Sequence, residues 1–174
     1  MAASPDPNPE LGRRLLSNTS VHLYFRPQVL HQTVAKLRRA GYHVAEADAS
    51  RWLCLPDMHA DLSRMFHFPG YYGRNLDAFN DCLRDVRAHE YGFPTDATGL
   101  VMALTGYEEF AREFPDTAHA VLDIFAVHSR SAMLAGEQLI ALVHTNDPRF
   151  TLAPVGATPV TWNAEEWHNA RRGP

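Results

Sequence analysis

The sequence predicts an α/β fold: a small, mainly parallel β-sheet with helices packed on it, extended at both termini. Three features carry that expectation. The apolar runs at 100–104 (Leu-Val-Met-Ala-Leu) and 139–143 (Leu-Ile-Ala-Leu-Val) read as central strands buried on both faces. Stretches with helical spacing separate the strand candidates, and strands alternating with helices join in parallel through crossovers. At 174 residues and 45% hydrophobic, the chain is long enough for one domain with a sizeable core, plus extensions.

Each element follows from local chemistry. Residues 1–18 read as a mobile leader, because Pro5, Pro7 and Pro9 stand too close together for helix or strand. A short strand is expected at 21–25. Leu30, Val34 and Leu37 then fall at i, i+4 and i+7 of a helix, with Gly41 as its stop. Residues 42–47 return as a strand. Pro56 opens a second helix, with Met58, Leu62, Met65 and Phe66 on one face. The stretch 91–99 is turn-rich and leads into the strand at 100. A short helix over 107–114 ends at Pro115. A longer one follows from Thr117 to about Ala135, with Val121, Leu122, Phe125 and Ala132 inward. The strand at 138–144 comes next. Near the end, Thr151-Leu152 and Val160-Thr161 suggest a hairpin. A last helix would carry a capping box from Asn163 and Glu166, with Trp162 and Trp167 at the staple positions. The division is then a leader at 1–18, a strand–helix extension at 19–41, a main domain at 42–146 and a C-terminal extension at 147–174.

The most informative stretch is 68–83, a tight aromatic loop that feeds an acidic helix. Pro69 and Gly70 break what precedes them, and Gly73 is expected to supply a positive φ. Asn75 suits the N-cap of a helix over 76–86, on which Leu76, Phe79, Leu83 and Val86 form a buried stripe. Asp77, Asp81 and Asp85 form a second stripe, one turn apart. Like charges at that spacing cost about 0.2–0.5 kcal/mol per pair, only partly offset at the helix N-terminus. Stability alone gives no reason for them.

Composition excludes several classes of function. A net charge of −4 argues against broad nucleic-acid binding, which needs a basic surface. Cys54 and Cys82 lack metal or disulfide spacing, and Cys82 belongs to the inward side of the acidic helix. The ten histidines show no ligand spacing, so no metal is expected. No phosphate-binding glycine motif or nucleophile elbow occurs, so no cofactor is expected. With no export signal and no span of eighteen apolar residues, the expected compartment is the cytoplasm.

The run at 71–83, Tyr-Tyr-Gly-Arg-Asn-Leu-Asp-Ala-Phe-Asn-Asp-Cys-Leu, closely resembles the signature of the barstar family of ribonuclease inhibitors. The order of elements agrees, and the resemblance extends over roughly 42–144. It implies a barstar-like fold and a protein that is not an enzyme, one that covers the active site of a small guanyl-specific bacterial ribonuclease. By position, Asp81 resembles the carboxylate that enters the phosphate pocket, with Asp77 pairing with Arg or Lys of the enzyme. Tyr71 resembles the ring packed on a catalytic histidine, while Tyr72, Gly73 and Asn75 would shape the loop and supply polar contacts. The chemistry is coherent, because a carboxylate held on a helix can mimic phosphate and pair with arginine. The implied partner is a basic, extracellular-type ribonuclease bound in a 1:1 complex, with no nucleic acid and no membrane.

The chain also departs from the family pattern. Asn80 stands where the best-known member has tryptophan. Arg84, seven residues after Asp77, lies on nearly the same face and can partly neutralise the stripe. An acidic contact from the family's late helix would align near Val127, where no acid exists. Two other functions stay open in the sequence: an immunity or interaction module for a non-ribonuclease toxin, and a hydrolase using Asp77 and Asp81 with a histidine.

Overall fold

Parallel pairing organises the chain. In a computed structural model describing residues 10–166, the strands are Val21–Tyr24 (β1), His43–Asp48 (β2), Leu100–Thr105 (β3), Leu139–His144 (β4) and Thr161–Trp162 (β5). Their order in the sheet is β2-β3-β4-β1-β5, and every pair is parallel. β3 and β4 lie inside the sheet and are almost wholly buried, as their unbroken apolar runs require.

The helices are Glu10–Leu16 (α1), Pro27–Arg39 (α2), Leu55–Met65 (α3), Leu76–Arg87 (α4), Tyr107–Glu113 (α5) and Pro115–Leu134 (α6). They cover both faces. On one, α3 to α6 pack over Leu100, Met102, Leu104, Leu139, Ala141 and Val143. On the other, α1 and α2 pack over Val101, Ala103, Ile140 and Leu142. Successive strand residues thus enter opposite cores, the period of two expected of a pleated strand. No helix among the described residues is long and apolar enough to cross a membrane.

Three expectations change, two of them near the ends. Residues 10–16 are helical, not leader, because Leu11 and Leu15 lie a turn apart and the helix docks by burying Leu15 and Leu16. Gly12 permits that docking: a Cβ there would fall 1.8 Å from the Tyr42 hydroxyl. Pro115 ends α5 but also opens α6, where its missing N–H costs nothing. No hairpin joins Thr151 to Thr161. Thr161 and Trp162 instead pair with His22 and Leu23 on the free edge of β1, and Pro154 and Pro159 remove donors that a hairpin would need.

Glu166 also acts elsewhere than in a local capping box. Its carboxylate accepts from the backbone N–H groups of Phe25 (3.2 Å) and Arg26 (3.1 Å) and pairs with the Arg26 guanidinium, so it caps α2 from the far end of the chain. The Asn163 side chain accepts from Glu165 N–H at 2.9 Å. The expected staple partner Trp167 and the first nine residues lie outside the described residues.

One loop contact makes stability depend on pH. His89 joins the turn after α4 to Glu137 before β4: Nε2 lies 2.5 Å from the Glu137 carboxylate and Nδ1 3.0 Å from the Phe93 carbonyl. Both neighbours are acceptors, so the imidazolium satisfies both. The hydrogen bond to Glu137 raises the His89 pKa above its ordinary 6.5. A raised folded-state pKa contributes stability that is complete below 6.5 and lost as pH rises through the raised value. The thermal midpoint of the wild type is therefore expected to lose a component on that rise that His89→Gln lacks. Parallel melting curves of the two proteins from acid to alkaline pH would remove the assignment.

Candidate partner-binding surface

The loop before α4 is fixed from within. Tyr72 N–H donates to the Pro69 carbonyl (3.0 Å), which closes the turn at Pro69-Gly70. Tyr72 itself is buried against Phe68, their ring centres 4.7 Å apart, and its hydroxyl lies 2.6 Å from Nδ1 of His59 on α3. Burial raises the Tyr72 phenol pKa, while burial and the charge of Arg74 lower that of His59. The phenol therefore keeps its proton and donates a hydrogen bond to neutral His59. Tyr71, its neighbour, is 76% exposed. One tyrosine pins the loop and the other faces outward.

Asn75 caps α4, its Oδ1 accepting from Ala78 N–H at 2.8 Å. The positive φ expected at Gly73 occurs instead at Arg74 (50°). Gly73 serves close approach: a Cβ there would meet the Asn75 amide at 3.3 Å and the Ala78 Cβ at 3.4 Å. The strained backbone turn and the tight contact thus fall on adjacent residues.

Along α4, Phe79, Cys82, Leu83 and Val86 enter the core, and Leu76 packs on its edge. Asp77 and Asp81 are exposed. The Asp81 carboxylate is paired with Arg84 at 2.9 Å, one turn on. Asp85 is half-buried and accepts from the Tyr91 hydroxyl at 3.3 Å. Asn80 is half-buried too, and its Oδ1 accepts from Nε2 of His128 on α6 at 3.0 Å. Burial lowers the His128 pKa, with Arg87 and Arg84 adding to the effect, so this histidine is held neutral.

Tyr71, Asp77 and Asp81 thus stand outward, while Tyr72 and Asn80 are committed to His59 and His128. Those two histidines have no spacing signal in the sequence, because each meets its partner through tertiary packing. The Asp81–Arg84 pair did have one, the i, i+3 spacing. Near Val127, no acid substitutes from nearby in sequence: Asp123 accepts from Gly156 N–H at 2.9 Å, and Glu137 is held by His89.

These features define an all-parallel α/β protein with an exposed tyrosine beside a carboxylate-bearing helix. Residues 42–144 match the family model described as barstar (barnase inhibitor), and the chain belongs to this family. The family is one of inhibitors, and membership implies a ribonuclease as partner in general terms. The matched segment supplies β2, β3 and β4 with α3 to α6; β1, β5, α1 and α2 lie outside it. No curated protein sequence matches the chain. Among solved structures, the chain is similar to one in the structure of Drosophila ORC bound to DNA, at 15% identity and a TM-score of 0.52. That likeness covers 88% of this chain but 40% of the other, and it concerns the fold alone.

Proposed function

We propose that this protein inhibits a small guanyl-specific bacterial ribonuclease by covering its active site, in a 1:1 complex formed in the cytoplasm as an antitoxin or immunity protein. The observation that carries the reading is the exposed Tyr71 beside Asp77 and Asp81 on a capped, core-anchored helix, in a chain of the barstar family. A nuclease active site is cationic because it stabilises phosphate, and two carboxylates on a rigid helix offer it a pre-arranged counter-charge. The pinned Tyr72 keeps the loop in place, so little ordering is needed when Tyr71 docks on the enzyme. His59 and His128 contact Tyr72 and Asn80 and not the two aspartates, which favours recognition over hydrolysis.

The test is a titration of ribonuclease activity with the purified protein, expected to fall to zero at one equivalent. Failure against several such enzymes would move the function to an interaction module for a non-ribonuclease toxin. Association with a basic partner is also expected to slow as salt rises, since the inhibitor carries a net charge of −4. Stopped-flow rates that ignore ionic strength would count against charge-assisted encounter.

A further inference from the structure

Beside the loop that carries Tyr71, the first turns of α3, α4 and α6 border a cavity of about 480 Å³, the size of a small-molecule site. Leu55, Pro56 and Leu76 give it apolar walls, and His59, Arg74, Asn75 and Thr117 supply its polar groups. Among the described residues no carboxylate lines it, in a chain whose net charge is −4. The acids of those first turns are placed elsewhere. Asp57 accepts from the N–H groups of Leu53 and Cys54, Asp116 lines a separate cavity with Glu108, and Asp77 stands exposed on α4. His59 is the informative residue, because it is only 5% exposed and one of its nitrogens is already committed. Nδ1 accepts from the Tyr72 hydroxyl, and an imidazole that accepts there carries its proton on Nε2. That N–H has no protein partner among the described residues, and the ring lines the cavity, so a buried donor faces into it. Arg74, at the cavity edge, forms no ion pair among the described residues.

We propose that this cavity binds a small-molecule phosphomonoester whose body is apolar or aromatic. Three helix N-termini meet around it, and the positive ends of their dipoles favour an anion. An anion seated there accepts from His59 Nε2–H and gives Arg74 the counter-charge it lacks. A cation finds no carboxylate to pair with and a guanidinium to repel it. The donors come from α3, the loop and α6, which are three separate directions. A tetrahedral phosphate presents acceptor oxygens in several directions, whereas a carboxylate presents them in one plane. The cavity is also larger than a bare phosphate fills, and its apolar walls reward a ligand that carries a hydrophobic group. Tyr71, Asp77 and Asp81 do not line the cavity, so the site stands whether or not the ribonuclease reading does.

The experiment follows the His59 imidazole signals by NMR while the full chain is titrated with phenyl phosphate, glycerol phosphate, inorganic phosphate or benzoate. Ionic strength is held constant with sodium chloride. Phenyl phosphate is expected to saturate in the low-millimolar range, with the other three about tenfold weaker. The His59 Nε2–H signal should move downfield as it gains an acceptor. The His59 pKa should rise as phenyl phosphate saturates, because a neighbouring anion favours the imidazolium. Arg74→Ala should weaken binding about tenfold and Thr117→Val about threefold. Arg39→Ala should leave it unchanged, since Arg39 is exposed on α2, across the sheet from the cavity. A His59 signal that shows no saturable response to any phosphate overturns the site. Equal weakening by Arg74→Ala and Arg39→Ala overturns it too, since that result describes general charge attraction. Benzoate binding as tightly as phenyl phosphate overturns the assignment to a phosphomonoester. No ribonuclease enters the measurement, so its failure leaves the inhibitor reading where it stands.

Discussion

Asp81→Ala is expected to weaken ribonuclease binding by about 2–5 kcal/mol, roughly 30- to 5,000-fold, while leaving the fold unchanged. The two halves of that expectation have separate physical grounds. In the free protein Asp81 contributes only an exposed pair with Arg84, and such i, i+3 pairs are worth about 0.2–0.5 kcal/mol. Its loss should barely move the thermal midpoint. In the proposed complex the same carboxylate would meet cations out of water, and its removal would leave them desolvated and unpaired. The loss has a second part here, because Arg84 is then left without its counter-charge against a basic partner. The double variant Asp81→Ala/Arg84→Ala should therefore bind more tightly than Asp81→Ala alone. Calorimetry or inhibition kinetics on the four proteins completes the cycle. Wild-type affinity in Asp81→Ala would remove Asp81 from the interface.

The sequence carried the strands and helices well, and the reason is local. The runs at 100–104 and 139–143 have no polar break, so they suit only a two-sided interior, where β3 and β4 indeed lie. Asn75 and the stripe from Leu76 to Val86 contain both the start and the inward face of α4, which the structure reproduces. What could not be read depends on where distant segments meet. Thr161 and Trp162 take the open edge of β1 instead of folding on Thr151, and no local pattern distinguishes a hairpin partner from a vacant sheet edge. Glu166 caps a helix that begins 139 positions earlier at Pro27. At the surface, the positive φ falls on Arg74 and not on Gly73, and the choice between two adjacent loop residues has no local signal in the sequence. Of the loop tyrosines, Tyr72 is the one the sequence favours as packed on the core, and it is buried there; what the sequence does not give is the histidine that each of Tyr72 and Asn80 meets, from α3 and α6.

Leu37→Ala is expected to cost about 2–5 kcal/mol of stability, although Leu37 lies outside the segment that matches the family. Leu37 on α2 is fully buried in the core formed with Val101, Ala103, Ile140 and Leu142, the second face of the sheet. Those strand residues belong to the matched segment, so the added helix completes the core of the inhibitor domain. A domain of this size has about 5–15 kcal/mol in all, and each kcal/mol shifts the midpoint by about 2–4 °C. The expected fall is therefore about 4–20 °C by calorimetry or circular dichroism. A loss below about 1 kcal/mol would mean that α2 is an appendage, since burial of a well-packed leucine cannot be surrendered so cheaply. Binding should respond in the opposite manner. The α4 surface lies across the sheet from α2 and is held by its own core of Phe79, Leu83 and Val86. Below its melting range, Leu37→Ala should inhibit with wild-type affinity, just as Asp81→Ala should melt like the wild type. Stability and recognition would then be separable in this protein because opposite faces of one sheet carry them.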